Sequence, residues 1–158
     1  MSTLYKINDV LNSLTTAAEE SPLIQSMVQY VAPERLFQKQ FPFEDRYREA
    51  HRVLEKYPNR IPVICERDPT CSTIKRDNKK KFLIPRSLTL GEFMFVIRKR
   101  IKLEENQALF IFVITEKRDG SIGKELAPTS HLIDTIYTQN RNRDAFLYLQ
   151  YASENTFG

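Results

Sequence analysis

"KKKFLIPRSLTLGEFMFVIRKRI", residues 79–101, sets a strand pattern directly against a helix pattern. Lys79 to Pro85 reads as a strand. Thr89 and Glu92 then stand at capping-box spacing, where each side chain satisfies the other's backbone N–H at a helix start. Phe93, Val96, Ile97 and Arg100 follow at helical spacing. A lone strand and a lone helix cannot bury their apolar faces, so the flanks must supply the rest of a sheet.

Upstream, Phe43, Tyr47, Ala50, Leu54 and Tyr57 recur at spacings of four, three, four and three, the apolar stripe of a helix that Pro58-Asn59 ends. "RIPVICE", Arg60 to Glu66, alternates as a strand, with Ile61, Val63 and Cys65 on one face and Pro62 and Ile64 on the other. Its proline suggests an edge position. A polar loop through Thr70 and Asp77 leads back to the opening stretch.

Downstream, "QALFIFVIT" (Gln107 to Thr115) is nearly continuous apolar sequence, the pattern of a buried central strand. Asp119-Gly120 in "EKRDGSIGKEL" is a hairpin turn signal. A helix fits Ser130 to Gln139, with Leu132, Ile133 and Ile136 as its apolar side, and "DAFLYLQY" (Asp144 to Tyr151) is the last strand. Strand, strand, helix, strand, short helix, strand is the order of an α+β domain whose mixed sheet clasps one helix, the ubiquitin-like β-grasp.

Residues 1–32 stand apart. Leu4, Ile7, Leu11 and Leu14 make one amphipathic stripe; Ser21-Pro22 is an N-cap and N1 pair opening a second, of Leu23, Ile24, Met27, Val28 and Val31. Lys6 against Asp9, Glu19 and Glu20 leaves this segment at −2, so the remainder of the +4 chain carries +6. The segment reads as a helical or partly disordered extension, either packed on the body or serving as a docking arm. Its acidic balance argues against a lipid-binding basic helix. The body runs over 33–151, and 152–158 is expected to be a flexible tail.

Hydrophobic residues at 41% and charged residues at 28% suit a soluble globular protein, and no apolar run reaches membrane-spanning length. Cys65 and Cys71 make no disulfide framework, and with His51 and His131 they lack zinc-site spacing, which points to a reducing cytosolic setting without metal or cofactor. Cys65 falls on a core strand face, so no nucleophile–imidazole pair is expected. No GxxxxGK[ST] loop is present. The chain reads as a binding or modifier protein and not as an enzyme. Lys79-Lys80-Lys81, Arg98-Lys99-Arg100 and Arg141/Arg143 leave a basic nucleic-acid platform as an alternative, without a supporting motif.

"PFEDRYREAHRVLEKYPNRIPVICE", the opening stretch, "ALFIFV", "APTS" and "FLYLQYASENTFG" together closely resemble the autophagy-related ubiquitin-like modifiers, the family of GABARAP, microtubule-associated light chain three and autophagy-related protein eight. The resemblance covers 33–158 and implies a β-grasp with two extra N-terminal helices. It implies that Gly158 is activated, passed between cysteines of activating and conjugating enzymes, and joined to phosphatidylethanolamine on autophagosomal membranes. A deconjugating cysteine protease would complete the set of partners. The protein would then be cytoplasmic with a lipid-anchored pool.

The family also reads cargo and adaptor peptides with an aromatic and an aliphatic residue three apart, which add as a strand to the sheet edge. The resemblance places Glu49, Val53, Pro62, Ile64, Lys81, Leu83 and Phe146 at the aromatic pocket. It places Phe82, Ile84, Pro85, Leu88, Phe93 and Val96 at the aliphatic one. Arg60, Lys79, Lys81 and Arg100 would attract acidic residues flanking the peptide. Leu109, Phe110 and Ile111 resemble a second docking surface, although an apolar strand explains them as well; Phe93 and Phe146 equally suit plain core.

Three departures from the family stand out: the extension 1–32, the long "EKRDGSIGKEL" hairpin, and a chain that stops on its glycine. The extension could fold over the peptide groove and inhibit it. A β-grasp adaptor that is never conjugated remains the main alternative function.

Overall fold

The computed structural model describes residues 36–153. The elements are α1 (Phe37–Gln40), α2 (Phe43–Lys56), β1 (Arg60–Arg67), β2 (Lys81–Pro85), α3 (Leu90–Arg100), β3 (Phe110–Glu116), β4 (Ile122–Leu126), α4 (Ile133–Asn140) and β5 (Leu147–Ala152). They build one mixed five-stranded sheet of order β2-β1-β5-β3-β4. β1 and β5 are parallel neighbours, and the other three pairings are antiparallel. The expected extension 1–32 and the tail beyond Ser153 lie outside the described residues.

Strand alternation splits the core into two layers. Ile61, Val63, Cys65, Ile84, Leu147 and Leu149 face α3 and α4, which contribute Leu90, Phe93, Ile97, Ile133 and Ile136. Ile64, Phe146 and Tyr148 face the other way, against Phe37, Phe41 and Ala50 of the α1–α2 segment. Each fully buried side chain of this size contributes about 1.5–3 kcal/mol relative to exposure. The expected faces of β1 are therefore borne out, as is the Thr89–Glu92 capping box that starts α3. The long hairpin is also present: β3 and β4 pair around Lys117–Ser121, and Gly120 takes φ +83°, a left-handed value that glycine adopts at no steric cost. Gly123 opposite is needed for space, since a Cβ there would lie 2.6 Å from Thr115 Oγ1.

Several expectations are corrected. Pro62 is not in an edge strand, because β1 lies between β2 and β5. Its missing N–H costs nothing for a local reason. The Cys65 N–H donates to the Lys80 carbonyl, so odd-numbered β1 residues bond β2 and Pro62 points toward β5, where pairing begins only at Val63. The middle strand is β5 and not β3, which is interior but fourth in order. The last helix starts at Ile133, and Leu132 before it is exposed while Tyr137 is buried. Ala152, expected in the flexible tail, is the final residue of β5, buried and paired with Phe110.

The α2 stripe is the largest difference. Phe43, Tyr47 and Tyr57 remain exposed, and the helix instead buries Glu49 and Ala50, with Arg46, Val53 and Leu54 half-buried. A polar pair rotates the helix onto this face. Arg46 reaches Asp144, which is fully buried before β5, at 2.5 Å; Tyr148 also donates to that carboxylate at 2.5 Å. A buried charge must be paired, and this triangle turns Arg46 inward and the aromatics outward.

Candidate functional site

β2 is an edge strand, with β1 on one side and no described strand on the other. The register fixes which groups it offers. Cys65–Lys80 and Asn59–Arg86 contacts set the phase of hydrogen bonding to β1, so the N–H and C=O of Lys81 and Leu83 point outward from the sheet. An extended peptide would meet those groups first.

The side chains divide by face. Lys81 and Leu83 lie opposite Ile64 and Pro62, on the α2 side of the sheet. There they join Val53 and the buried carboxylate of Glu49, which accepts from Arg52 at 2.9 Å. Phe146 closes the floor, edge-on to Phe37 at 5.6 Å. Its position depends on Ala145, which holds φ +74° although it is not glycine. The strained residue is secured by Tyr137 Oη donating to its carbonyl at 2.7 Å and by its own N–H donating to the Asn142 carbonyl.

Phe82 and Ile84 lie on the α3 side. The Phe82 ring meets Phe93 edge-on at 5.3 Å, and Leu88 packs against the same cluster. Val96 is exposed, three residues after Phe93 on α3, and forms the open wall. Pro85 shares the register face of Lys81 and Leu83, and its carbonyl accepts the Leu88 N–H at 3.1 Å.

Phe93 and Phe146 are 1% and 2% exposed and act as floor, whereas Leu83, Phe82 and Val96 are reachable from the edge. Leu109 and Ile111 are closed into the core, with Phe110 half-buried on it, as an apolar interior strand requires.

The basic rim is engaged. Arg60 donates to the Leu83 carbonyl at 3.1 Å. Arg100 lies over the Phe82 ring at 5.8 Å and pairs with Asp77 at 2.5 Å, which strengthens its hold on its proton. Lys79 also stands over the Phe82 ring, at 5.0 Å. Elsewhere Lys80 pairs with Glu66 at 3.1 Å, Arg98 caps the Gln107 and Glu104 carbonyls, and Arg143 meets Glu116 at 3.4 Å. Asp77, Arg46 and Asp144 were not legible as site residues, because their partners are distant in sequence and no local motif marks them.

Cys65 is buried, and burial pushes its thiol well up. Burial also raises Cys71, but hydrogen bonds from Ser153 and Thr73 outweigh it and bring the thiol to about 7. Its neighbours are hydroxyls, at 3.5 Å for Thr73 and 3.6 Å for Ser153. Among the described residues no cluster of three metal-ligating side chains occurs, and no helix is long and apolar enough to cross a membrane.

A mixed sheet clasping a long helix, with its first and last strands parallel side by side and two helices added on the outer face, defines a ubiquitin-like protein, here with an open strand edge at β2. A family model described as "Autophagy protein Atg8 ubiquitin like" matches residues 45–158. Autophagy-related protein 8 of Kluyveromyces lactis is 48% identical over 122 residues, covering 77% of this chain and 90% of that protein. The protein of the same name from Schizosaccharomyces pombe is also 48% identical, over 77% of this chain and 93% of its own. The crystal structure of Trypanosoma brucei ATG8 superposes with a TM-score of 0.63 at 35% identity, over 80% of this chain and all of that one. The chain belongs to the Atg8 family and is a ubiquitin-like modifier of autophagy.

Proposed function

We propose that this modifier is conjugated through Gly158 to phosphatidylethanolamine on autophagosomal membranes and recruits cargo through the β2 edge. The family match extending to Gly158 supports the first half. Glycine suits that end, because it has no side chain to obstruct a narrow enzyme channel. Partner enzymes would adenylate the carboxylate and carry it as a thioester. The lipid's primary amine would then displace the thiol to give an amide. The chemistry belongs to those enzymes; this chain supplies the electrophile and the surfaces that they and the cargo receptors grip.

One observation supports the recruiting half: Lys81 and Leu83 lie on one face of a single open edge strand, and Phe82 and Ile84 lie on the other. Residues three apart in an extended peptide have opposite parity and project to opposite faces. A peptide with an aromatic and an aliphatic residue at that spacing would therefore fill both pockets from one added strand. Its aromatic residue would enter beside Leu83, Pro62 and Glu49, whose buried carboxylate can accept an indole N–H or phenol O–H. Its aliphatic residue would sit beside Phe82, Leu88 and Val96. Backbone pairing with Lys81 and Leu83 supplies affinity without sequence choice, and the pockets supply the choice.

Mass spectrometry of the protein recovered from starved cells tests the conjugation. Wild type should carry a phosphatidylethanolamine amide on Gly158, and Gly158→Ala should not, while both bind peptide equally. A wild-type protein with only a free carboxylate and no membrane-bound pool would support an unconjugated adaptor instead.

A further inference from the structure

The apolar stripe of α2 has the spacing of a core face and is not buried as one. Phe43, Tyr47 and Tyr57 are 37%, 43% and 41% exposed. The strip is connected from Phe43 to His51: the Phe43 and Tyr47 rings are 5.8 Å apart, and Tyr47 and His51 are 4.0 Å apart. Arg46 and Arg143, ion-paired with Asp144 and Glu116, lie over the Phe43 ring at its start, at 5.6 and 5.8 Å. Single exposed aromatics are ordinary, but a connected strip at helical spacing marks a contact surface.

The chain carries a matching occupant. Leu23, Ile24, Met27, Val28 and Val31 share one helical face in sequence pattern. Glu19 and Glu20 precede them, in a segment of net −2 joined to a body of +6. The segment enters the described structure at Leu36, and the next residues, Phe37 and Phe41, pack in the same cluster as Ala50 of α2. Four residues lie between Val31 and Leu36, so the five steps from one to the other reach about 17 Å when extended. α2 is about 21 Å long at 1.5 Å per residue. The stripe is thus tethered within reach of the strip.

The β2 groove is the competing resting place, and the extension does not have the chemistry for it. Its two aromatics are Tyr5 and Tyr30, and the residues three further on are Asn8 and Pro33. Neither is aliphatic in the sense the second pocket requires, and proline would break the added strand's pairing.

We propose that residues 22–31 dock by their apolar face along Phe43, Tyr47 and Tyr57 of the same chain, making an intramolecular cover for the outer face of α2.

Paired cysteines in the full-length chain carrying Cys71→Ser test this, with the native Cys65 buried in the core. Met27→Cys with Tyr47→Cys should form an intramolecular disulfide under mild oxidation, as should Leu23→Cys or Val31→Cys if the register differs by a turn. Met27→Cys with Val96→Cys, on the groove wall, should not. A link to Val96 alone would mean the groove is covered, a linked dimer would mean a second copy is engaged, and no link at all would mean no docking; each overturns the proposal. In parallel, Leu23→Asp with Met27→Asp should speed amide exchange across residues 43–57 about tenfold or more, because it removes two apolar contacts from the cover. Exchange in β5 should not change. Unaltered exchange in α2 would overturn the proposal without requiring any cross-link.

Discussion

Arg60 Nη1 donates to the Leu83 carbonyl at 3.1 Å, and that carbonyl is one of the outward-pointing acceptors of the β2 edge. The arginine therefore occupies an acceptor that an added strand would use. It also holds a positive charge where acidic residues beside a peptide would pass.

These two roles predict opposite effects from one substitution. Arg60→Ala should weaken binding of an acidic-flanked aromatic-x-x-aliphatic peptide about two- to fivefold, the range of one exposed ion pair. A neutral-flanked peptide should bind as well or better, because the carbonyl is freed. Calorimetric titration with both peptides at two salt concentrations decides this. Equal losses for the two would mean that Arg60 contributes shape and not charge.

Leu83 is half-buried on the β2 edge and Phe146 is closed into the core, so their substitutions should separate affinity from stability. Leu83→Ala should cost about 1–3 kcal/mol of peptide binding by removing an apolar anchor wall, with little change in Tm. Phe146→Ala removes a fully buried ring and should cost about 3–5 kcal/mol of folding stability. A Leu83→Ala protein that binds within error of wild type would place the peptide elsewhere.

What the sequence made legible were features with local causes. The capping box, the faces of β1 and the Asp119-Gly120 turn depend on residues a few positions apart, and each was found as expected. The expected groove residues came from resemblance, and the register of β2 divides those on that strand between two faces. The misreadings have non-local causes. Pro62 looked like an edge residue because nothing nearby tells that pairing with β5 starts one residue later. The stripe of α2 looked like core because the residue that rotates the helix, Asp144, lies 98 positions from Arg46.

That pair makes its own prediction. Asp144 is fully buried and holds Arg46 and the Tyr148 hydroxyl, while its other oxygen accepts the Phe146 N–H at 2.8 Å. Removing the carboxylate would leave a guanidinium buried without its counter-charge and release the backbone that presents Phe146. Asp144→Ala should therefore lower stability by about 3–5 kcal/mol in urea unfolding. Replacing Arg46 and Asp144 together by apolar residues should cost less than the sum of the single changes, since no charge is left uncompensated. Strict additivity in the double-mutant cycle would show that the two do not act as a pair.

Asp68 makes stability depend on pH at the far end of β1. Burial raises its pKa, but hydrogen bonds from Lys124 and Thr70 outweigh burial, and the folded carboxyl lies below its ordinary value. The contribution is therefore complete above the unfolded value of about 3.9 and is lost as pH falls through the lower folded value. The contact joins the end of β1 to the edge strand β4, and the Asp68 N–H also donates to the Tyr151 carbonyl at 2.9 Å. Asp68→Asn should lower stability at pH 7 by about 1–3 kcal/mol, the range for a hydrogen bond to a charged group. The gap to wild type should narrow as pH falls below about 4, where the wild-type carboxylate begins to protonate. Urea midpoints measured from pH 7 down to pH 2 provide the check. A gap that stays constant over that range would mean that the Lys124 contact adds nothing to folding and that the loss comes from packing alone.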